Sequence, residues 1–335
     1  MTDVGGFGGD TFGAYVTHAT ILETRLGSQL IRVLKAFIAS SARITLRPRT
    51  FEYYAPSSLG DALSLLSRAE DAKILAGGQS LITLMKLRLA APASLIDINR
   101  IPQLNYIREE AGRIAIGALT RDDQIATNPL IRGKCSLLAD AASVVGDQQV
   151  RNRGSIGGSL AHADPSGDLP TACTSLNAEL KVASKDGSRI VAAQDFFLDF
   201  FTTALLPTEI IEEIRIPVPA SRSGGAYAKL TKGHNDFALV SVAAHCSLSP
   251  EGACEAISLV LGGVAPKPIH AIETEGHLLQ KRIDDHVIHE AALKAGAGLS
   301  PTPDPRASSE LKREMIRTST ERALRVAFGR AREAV

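Results

Sequence analysis

Two glycine-rich turns about eighty residues apart are the part of this chain that could do chemistry. The first is Ile74-Leu75-Ala76-Gly77-Gly78-Gln79-Ser80-Leu81. The second is Ser155-Ile156-Gly157-Gly158-Ser159, led in by Arg151-Asn152-Arg153-Gly154 and running on to His162-Ala163-Asp164-Pro165-Ser166-Gly167-Asp168. Each sets Gly-Gly beside a small hydroxyl residue. Glycine accepts φ > 0 and lets a ligand approach the main chain. Successive N–H groups in such a turn form a concave anion site. N–H groups of Gly77, Gly78 and Gln79 with the Ser80 hydroxyl suit a phosphate, and two such turns could grip both phosphates of a dinucleotide. Singly, Gly-Gly after an apolar run is an ordinary tight turn. The pair, with these flanks, is much more specific.

Other chemistries find little support. Cys135, Cys173, Cys246 and Cys254 include no C-x-x-C pair, which argues against zinc or iron–sulfur ligation by this chain. Cys246 and Cys254 flank a Ser249-Pro250-Glu251-Gly252 turn and could face each other, but free buried thiols suit a reducing compartment better. A metal site from His162, Asp164 and Asp168 has too few ligands for an oxygen-rich cation, and Asp164-Pro165 is a routine turn opener. No Ser-His-Asp order, paired-carboxylate pattern or Rossmann glycine fingerprint stands out. Such a chain fits a role in which a bound cofactor, rather than the side chains, carries the chemistry.

The elements that position the turns follow from periodicity. Ser57 or Ser58 caps a helix with Leu59, Leu63 and Leu66 on one face. Residues 73–76 form a short strand ending at the first turn. Residues 83–89 return to helix, and 94–98 form the next strand, so this β-α-β order implies a small parallel unit. Residues 113–118 read as strand, and 121–126 and 137–145 as helices. Residues 179–183 and 188–192 pair around Asp186-Gly187, a strong hairpin cue. Residues 221–225 read as a linker. Strands are expected at 226–230, 238–245 and 256–261, and helices at 268–279, 284–295 and 306–332.

Length favours two or three domains, with 335 residues. Basic and acidic residues number 37 and 36, which removes any global reason to bind nucleic acid. No apolar run approaches the ~20 residues of a membrane span. Residues 1–15 are Gly-rich and read as disordered; 21–38 show helical spacing but carry acidic neighbours unlike a transit peptide. That segment reads as an upstream extension.

The two turns, with Phe51-Glu52-Tyr53, Met85-Lys86-Leu87-Arg88-Leu89, Ile116-Gly117-Ala118-Leu119-Thr120 and Asp304-Pro305-Arg306-Ala307-Ser308, resemble the FAD-binding subunit of the molybdenum hydroxylases. That family includes carbon monoxide dehydrogenase medium subunits and xanthine dehydrogenase flavin domains. The resemblance runs from about residue 49 to the C-terminus. It implies an α+β fold: a two-lobed FAD-binding domain of the p-cresol methylhydroxylase type, then a C-terminal domain of a three-stranded antiparallel sheet with a three-helix bundle. The expected division is an extension at 1–46, an FAD domain at 47–221 (lobes 47–100 and 101–221) and a C-terminal domain at 225–333.

The resemblance also implies site roles. Ile74, Leu75, Ala76, Gly77, Gly78, Gln79, Ser80 and Leu81 bind the FAD pyrophosphate. Ser155, Ile156, Gly157, Gly158 and Ser159 form the other clamp, with Ser155 replacing the commoner Thr. Asp168 matches a carboxylate at the adenosine end. Ile211 and Lys229 align with positions that touch the flavin; as a bare residue, Lys229 reads equally as a solvated strand lysine. Val145 aligns with a position near the adenine or flavin, where core packing serves equally well. Phe237 falls where the carbon monoxide dehydrogenase branch places an aromatic, often Tyr, beside the isoalloxazine; it lacks the hydroxyl. Arg151 and Arg153 could neutralise phosphate, face a partner or lie exposed. The implied partners are a large molybdenum-cofactor subunit and a small [2Fe–2S] subunit, in a dimer of heterotrimers. The implied function is to pass electrons from the clusters through FAD to an external acceptor. No catalytic residue or metal ligand is expected on this chain. The implied location is cytoplasmic, with association to the inner face of the membrane left open. The competing reading is a self-contained FAD oxidase of the p-cresol methylhydroxylase type.

Overall fold

The computed structural model describes residues 46–334; the helical spacing expected at 21–38, and the expected extension up to residue 45, lie outside them. The chain begins with a three-stranded parallel sheet in the order β1-β3-β2: β1 Glu52–Tyr54, β2 Ala72–Leu75 and β3 Ser94–Asp97. Helix α1, Leu59–Leu66, crosses from β1 to β2. Ser58 caps it, its Oγ accepting from the Asp61 N–H at 3.1 Å, a bond typically worth ~1 kcal/mol. Its Ala62, Leu63 and Leu66 pack on Ile96, Ile98 and Leu104. Helix α2, Leu81–Lys86, starts just after the first glycine turn. It ends three residues before Leu89, because Arg88 takes φ +60° and breaks the expected 83–89 helix.

The second lobe is an antiparallel five-stranded sheet of order β4-β5-β10-β6-β7. Its strands are β4 Ile107–Glu110, β5 Arg113–Gly117, β6 Glu179–Ser184, β7 Gly187–Ala192 and β10 Ile210–Pro217. The hairpin closes at Asp186-Gly187, pairing Ser184 with Gly187. Between β5 and β6 lie α3 Asp122–Thr127, α4 Pro129–Lys134, α5 Ser136–Ser143, α6 Gln148–Arg151, α7 Ile156–His162 and α8 Asp168–Ser175. Helix α7 begins within the second glycine turn. A short helix α9, Ala193–Phe196, and a two-stranded ribbon of β8 Phe197–Asp199 and β9 Thr202–Thr203 complete the lobe.

The C-terminal part departs from expectation in two places. Its antiparallel sheet has four strands: β11 Ser223–Leu230, β12 Val240–Leu248, β13 Cys254–Gly262 and β14 Ile269–His270. Residues 268–271, expected to open a helix, instead add β14 at the sheet edge, pairing Val260 with His270 and Leu261 with Ile269. Helix α10, Ile272–Leu278, follows. The expected linker at 221–225 is largely strand. Gly224 and Gly225 pair with Cys246 and His245, and a Cβ on Gly224 would overlap the carbonyl of Ala327. Gly224 lets α12, Ser309–Glu333, lie close on β11, while a Cβ on Gly225 would fall 2.9 Å from the Leu137 Cβ of α5. Helix α11, Asp285–Lys294, is capped by Asp284 through Val287 N–H at 2.8 Å. All four cysteines are free and buried.

The sheet feeds two cores by its two-residue alternation. Val242, Ala244, Leu259 and Leu261 face α12 with Ala323, Ala327 and Phe328. Ala243 and Val260 point the other way, into the core built on Leu137, Leu138, Leu169 and Cys173.

Candidate functional site

The two glycine turns meet. A Cβ on Gly77 would overlap the Arg153 carbonyl oxygen and come within 3.0 Å of the Gly154 Cα. A Cβ on Gly158 would stand 3.7 Å from the Ala76 Cβ. Chain segments from separate lobes are thus in van der Waals contact, which glycine at these positions permits. Gly78 holds φ +75°, a conformation that side-chain-bearing residues rarely adopt. Among the described residues, the main-chain N–H groups of Gly77, Gly78, Gln79 and Ser80 donate no hydrogen bond. The first turn therefore leaves these donors unclaimed by the described residues.

The second turn is held from below. Ser155 pairs with Arg121 in a bridge, and Ile156 N–H donates to the Thr120 carbonyl at 3.1 Å. Gly157 N–H donates to the Ala118 carbonyl at 2.9 Å, and a Cβ there would fall 2.6 Å from the Ala118 Cβ. The Ser155 hydroxyl is buried and has no hydrogen-bond partner among the described residues. Burying a hydroxyl unpaired is costly. A free turn beside an unsatisfied hydroxyl matches what a phosphate-bearing cofactor needs, so these residues fit FAD.

Asp168 and Lys229 are brought together. Lys229 Nζ lies 2.9 Å from Asp168 Oδ2, with side chains 8% and 7% exposed. Lys229 also donates to the Val144 carbonyl at 3.0 Å, and the Tyr227 hydroxyl donates to Asp168 Oδ1 at 2.8 Å. The reading of Lys229 as a solvated strand lysine is thereby corrected: β11 turns it inward. Burial pushes the Asp168 carboxyl above its ordinary value, opposed by Lys229 and by the Tyr227 hydroxyl. Burial beside this carboxylate holds the Tyr227 phenol well above its usual range.

The remaining expected positions scatter. Val145 is half-buried against the second lobe's core, and its carbonyl accepts from Arg151 Nη1 at 3.1 Å. Arg151 thus braces the 145–146 loop, while Arg153 leaves its side chain exposed and contributes its carbonyl. Ile211 is buried in β10 beside a bulge between Ile211 and Glu213. Phe237 is 46% exposed on the β11–β12 loop. Asp164 Oδ1 accepts from Ser166 N–H at 2.9 Å, the turn-opening bond expected of it. The His162 ring lies 5.2 Å from that of Phe201.

Sequence reasoning missed Tyr227, Arg121, Asn99 and Asp122. Tyr227 had a signal: two residues from Lys229 on one strand, it shares that residue's face. Asp122 is buried beneath Gly154, with Oδ1 unpartnered among the described residues. Burial, with Asp168 nearby, pushes its carboxyl up to about 7. Residues 132–140, 223–225 and the end of α12 line a separate cleft of about 550 Å³, which includes none of the residues of either turn.

Comparison with known proteins shows the family. Residues 49–219 match the FAD binding domain in molybdopterin dehydrogenase, and 225–327 match the CO dehydrogenase flavoprotein C-terminal domain. The chain therefore carries the FAD-binding domain of a molybdopterin-type dehydrogenase. It is 39% identical to the carbon monoxide dehydrogenase medium chain of Hydrogenophaga pseudoflava, over 84% of this chain and 99% of that one. It is 38% identical to the glyceraldehyde dehydrogenase medium chain of Sulfolobus acidocaldarius, over 83% and 98%. A solved structure of the Hydrogenophaga pseudoflava carbon monoxide dehydrogenase superposes with TM-score 0.81 at 40% identity, covering 85% of this chain and 99% of that one. The chain belongs to the family of FAD-binding medium subunits of molybdenum hydroxylases, an oxidoreductase family. None of its described helices is long and apolar enough to cross a membrane.

Proposed function

We propose that this chain is the electron-transfer subunit of a heterotrimeric molybdenum hydroxylase. It would stand between the [2Fe–2S] clusters of a small partner subunit and an external acceptor, while a large molybdenum-cofactor subunit oxidises the substrate. Two such trimers would pair. The observation that carries the reading is the meeting of two glycine turns, one with free N–H groups and the other with an unsatisfied Ser155 hydroxyl. FAD, when bound, supplies reversible two-electron redox chemistry.

The residues divide the work. Gly77, Gly78, Gln79 and Ser80, flanked by Ile74, Leu75, Ala76 and Leu81, offer main-chain donors to pyrophosphate. Ser155, Ile156, Gly157, Gly158 and Ser159 close from the other lobe. Asp168 keeps acceptor capacity beyond Tyr227 and Lys229, because a carboxylate has about four lone-pair sites. That capacity suits a ribose hydroxyl. Val145, Ile211, Lys229 and Phe237 are assigned to the cofactor's surroundings. Lys229, neutralised by Asp168, orients the carboxylate more than it adds net charge.

Relatives named for carbon monoxide and for glyceraldehyde share this architecture, which supports placing substrate choice outside this subunit. The test is reconstitution. The isolated flavoprotein should pass electrons from its reduced cofactor to an acceptor and oxidise no organic substrate; with its partners it should turn over. Substrate turnover by the isolated chain at the rate of the complex would replace this reading with a self-contained oxidase.

A further inference from the structure

The two turns come from different lobes and different sheets, so something must fix their separation. Arg121 sits at the start of α3, its main chain paired with Ser155 and its N–H donating to Gln124 Oε1 at 2.9 Å. Its guanidinium leaves the second lobe. Nη1 donates to the Arg153 carbonyl at 2.7 Å, and Nη2 donates to Asn99 Oδ1 at 2.7 Å. Asn99, just beyond β3, turns its Nδ2 to the Ala76 carbonyl at 2.8 Å and to Asp97 Oδ1 at 2.6 Å. Ala76 precedes Gly77, where a Cβ would overlap the same Arg153 carbonyl. The contacts close a ring: first turn, Asn99, Arg121, Arg153, first turn. One planar fork bridges two acceptors held by different lobes, a task suited to Arg and not to Lys.

We infer that Arg121, acting with Asn99, is a positioning residue that sets the spacing of the two glycine turns and so the affinity for a ligand spanning both. The inference rests on the cofactor-site reading above. Arg121 is half-buried; its guanidinium acts through the carbonyl of Arg153 and, by way of Asn99, that of Ala76. Each acceptor belongs to a backbone segment next to a glycine that permits close approach. Losing the fork therefore frees the two segments to move apart without removing any residue of either turn.

The test uses the full chain stripped of flavin and titrated with FAD and, in parallel, with FMN, which has one phosphate and no adenosine. Arg121→Lys and Asn99→Ala should each weaken FAD at least about tenfold, the scale of coupling energies between contacting groups. The double variant should be no weaker than the worse single within about twofold, because both changes open one ring. The ratio of FAD to FMN affinity should fall in each, since only FAD spans both turns. Wild-type FAD affinity in both single variants, additive losses in the double variant, or equal losses for FAD and FMN would overturn the inference. Arg121→Lys preserves charge and bulk, so the affinity ratio in that variant decides even if Asn99→Ala fails to fold. A Gly78→Val protein with undiminished FAD affinity would instead remove the cofactor-site reading itself.

Discussion

Replacing Lys229 by Met strips a buried carboxylate of its cation. Asp168 would keep the Tyr227 hydroxyl, while Asp164 and Asp122 add like charge nearby. Breaking a buried pair by removing one partner costs about 3–5 kcal/mol. With an unfolding entropy of about 2.1 cal/mol/K per residue, a chain of 335 residues loses roughly 1.4 °C per kcal/mol, so even the low figure is a fall of about 4 °C in Tm. The loss should depend on pH. Burial already holds the Asp168 carboxyl above its ordinary 3.8. The folded state thus binds that proton more tightly than the unfolded chain, so this group's contribution to stability declines as pH rises through the folded value. Without Lys229 the folded value climbs further and the decline steepens. The variant should be close to wild type in mild acid and farthest from it at neutral pH. Adding Asp168→Asn removes the stranded charge and should recover about 2 kcal/mol. Urea unfolding at several pH values measures all three proteins. A loss under about 1 kcal/mol that is the same in acid and at neutral pH, as exposed pairs give, would refute the argument.

Gly78→Val and Gly157→Val should each lower bound flavin, the first through its positive φ and the second through contact with Ala118; absorbance of the purified proteins reports it. Gly224→Ala should cost about 1–3 kcal/mol by forcing α12 off β11, read from thermal melts, while leaving the affinity of any folded fraction for FAD unchanged. Deleting residues 1–46 should leave solubility and FAD binding intact; aggregation or loss of flavin would make the extension structural.

Local signals were legible and long-range ones were not. Ser58 as a cap, Asp186-Gly187 as a hairpin and both glycine turns follow from chemistry within a few residues. The Asn128-Pro129 opening of α4 was equally local and was overlooked: Asn128 Oδ1 accepts from Leu130 N–H at 2.9 Å, and Pro129 needs no donor there. Strand β10 was hidden by Glu212 and Glu213 in its middle. A bulge keeps Ile211 on the core face with Ile214 and Ile216, while Glu213 lies on the other face with Arg215, buried as it accepts from Tyr106 and Arg215. The glycines at 224 and 225 look like a linker because their reasons, α12 for Gly224 and Leu137 of α5 for Gly225, lie far away along the chain. Within the site, residue types marked the two glycine turns, whereas the Arg121–Asn99 bridge depends on two lobes meeting and has no pattern along the chain.

Because β12 and β13 send alternate residues into opposite cores, the carboxy-terminal third cannot be exchanged as a cassette. A chimera joined at residue 222 would bring in new neighbours for Leu137, Leu138 and Cys173 along with the transplanted strands. Ala243 and Val260 are the positions a graft would have to match to its host, while Val242, Ala244, Leu259 and Leu261 could travel with their own helix. Recombination between relatives should therefore succeed when the inward-facing set stays with the amino-terminal lobes it packs on. Calorimetry of the intact chain should show these segments melting in one transition, since shared packing couples their unfolding.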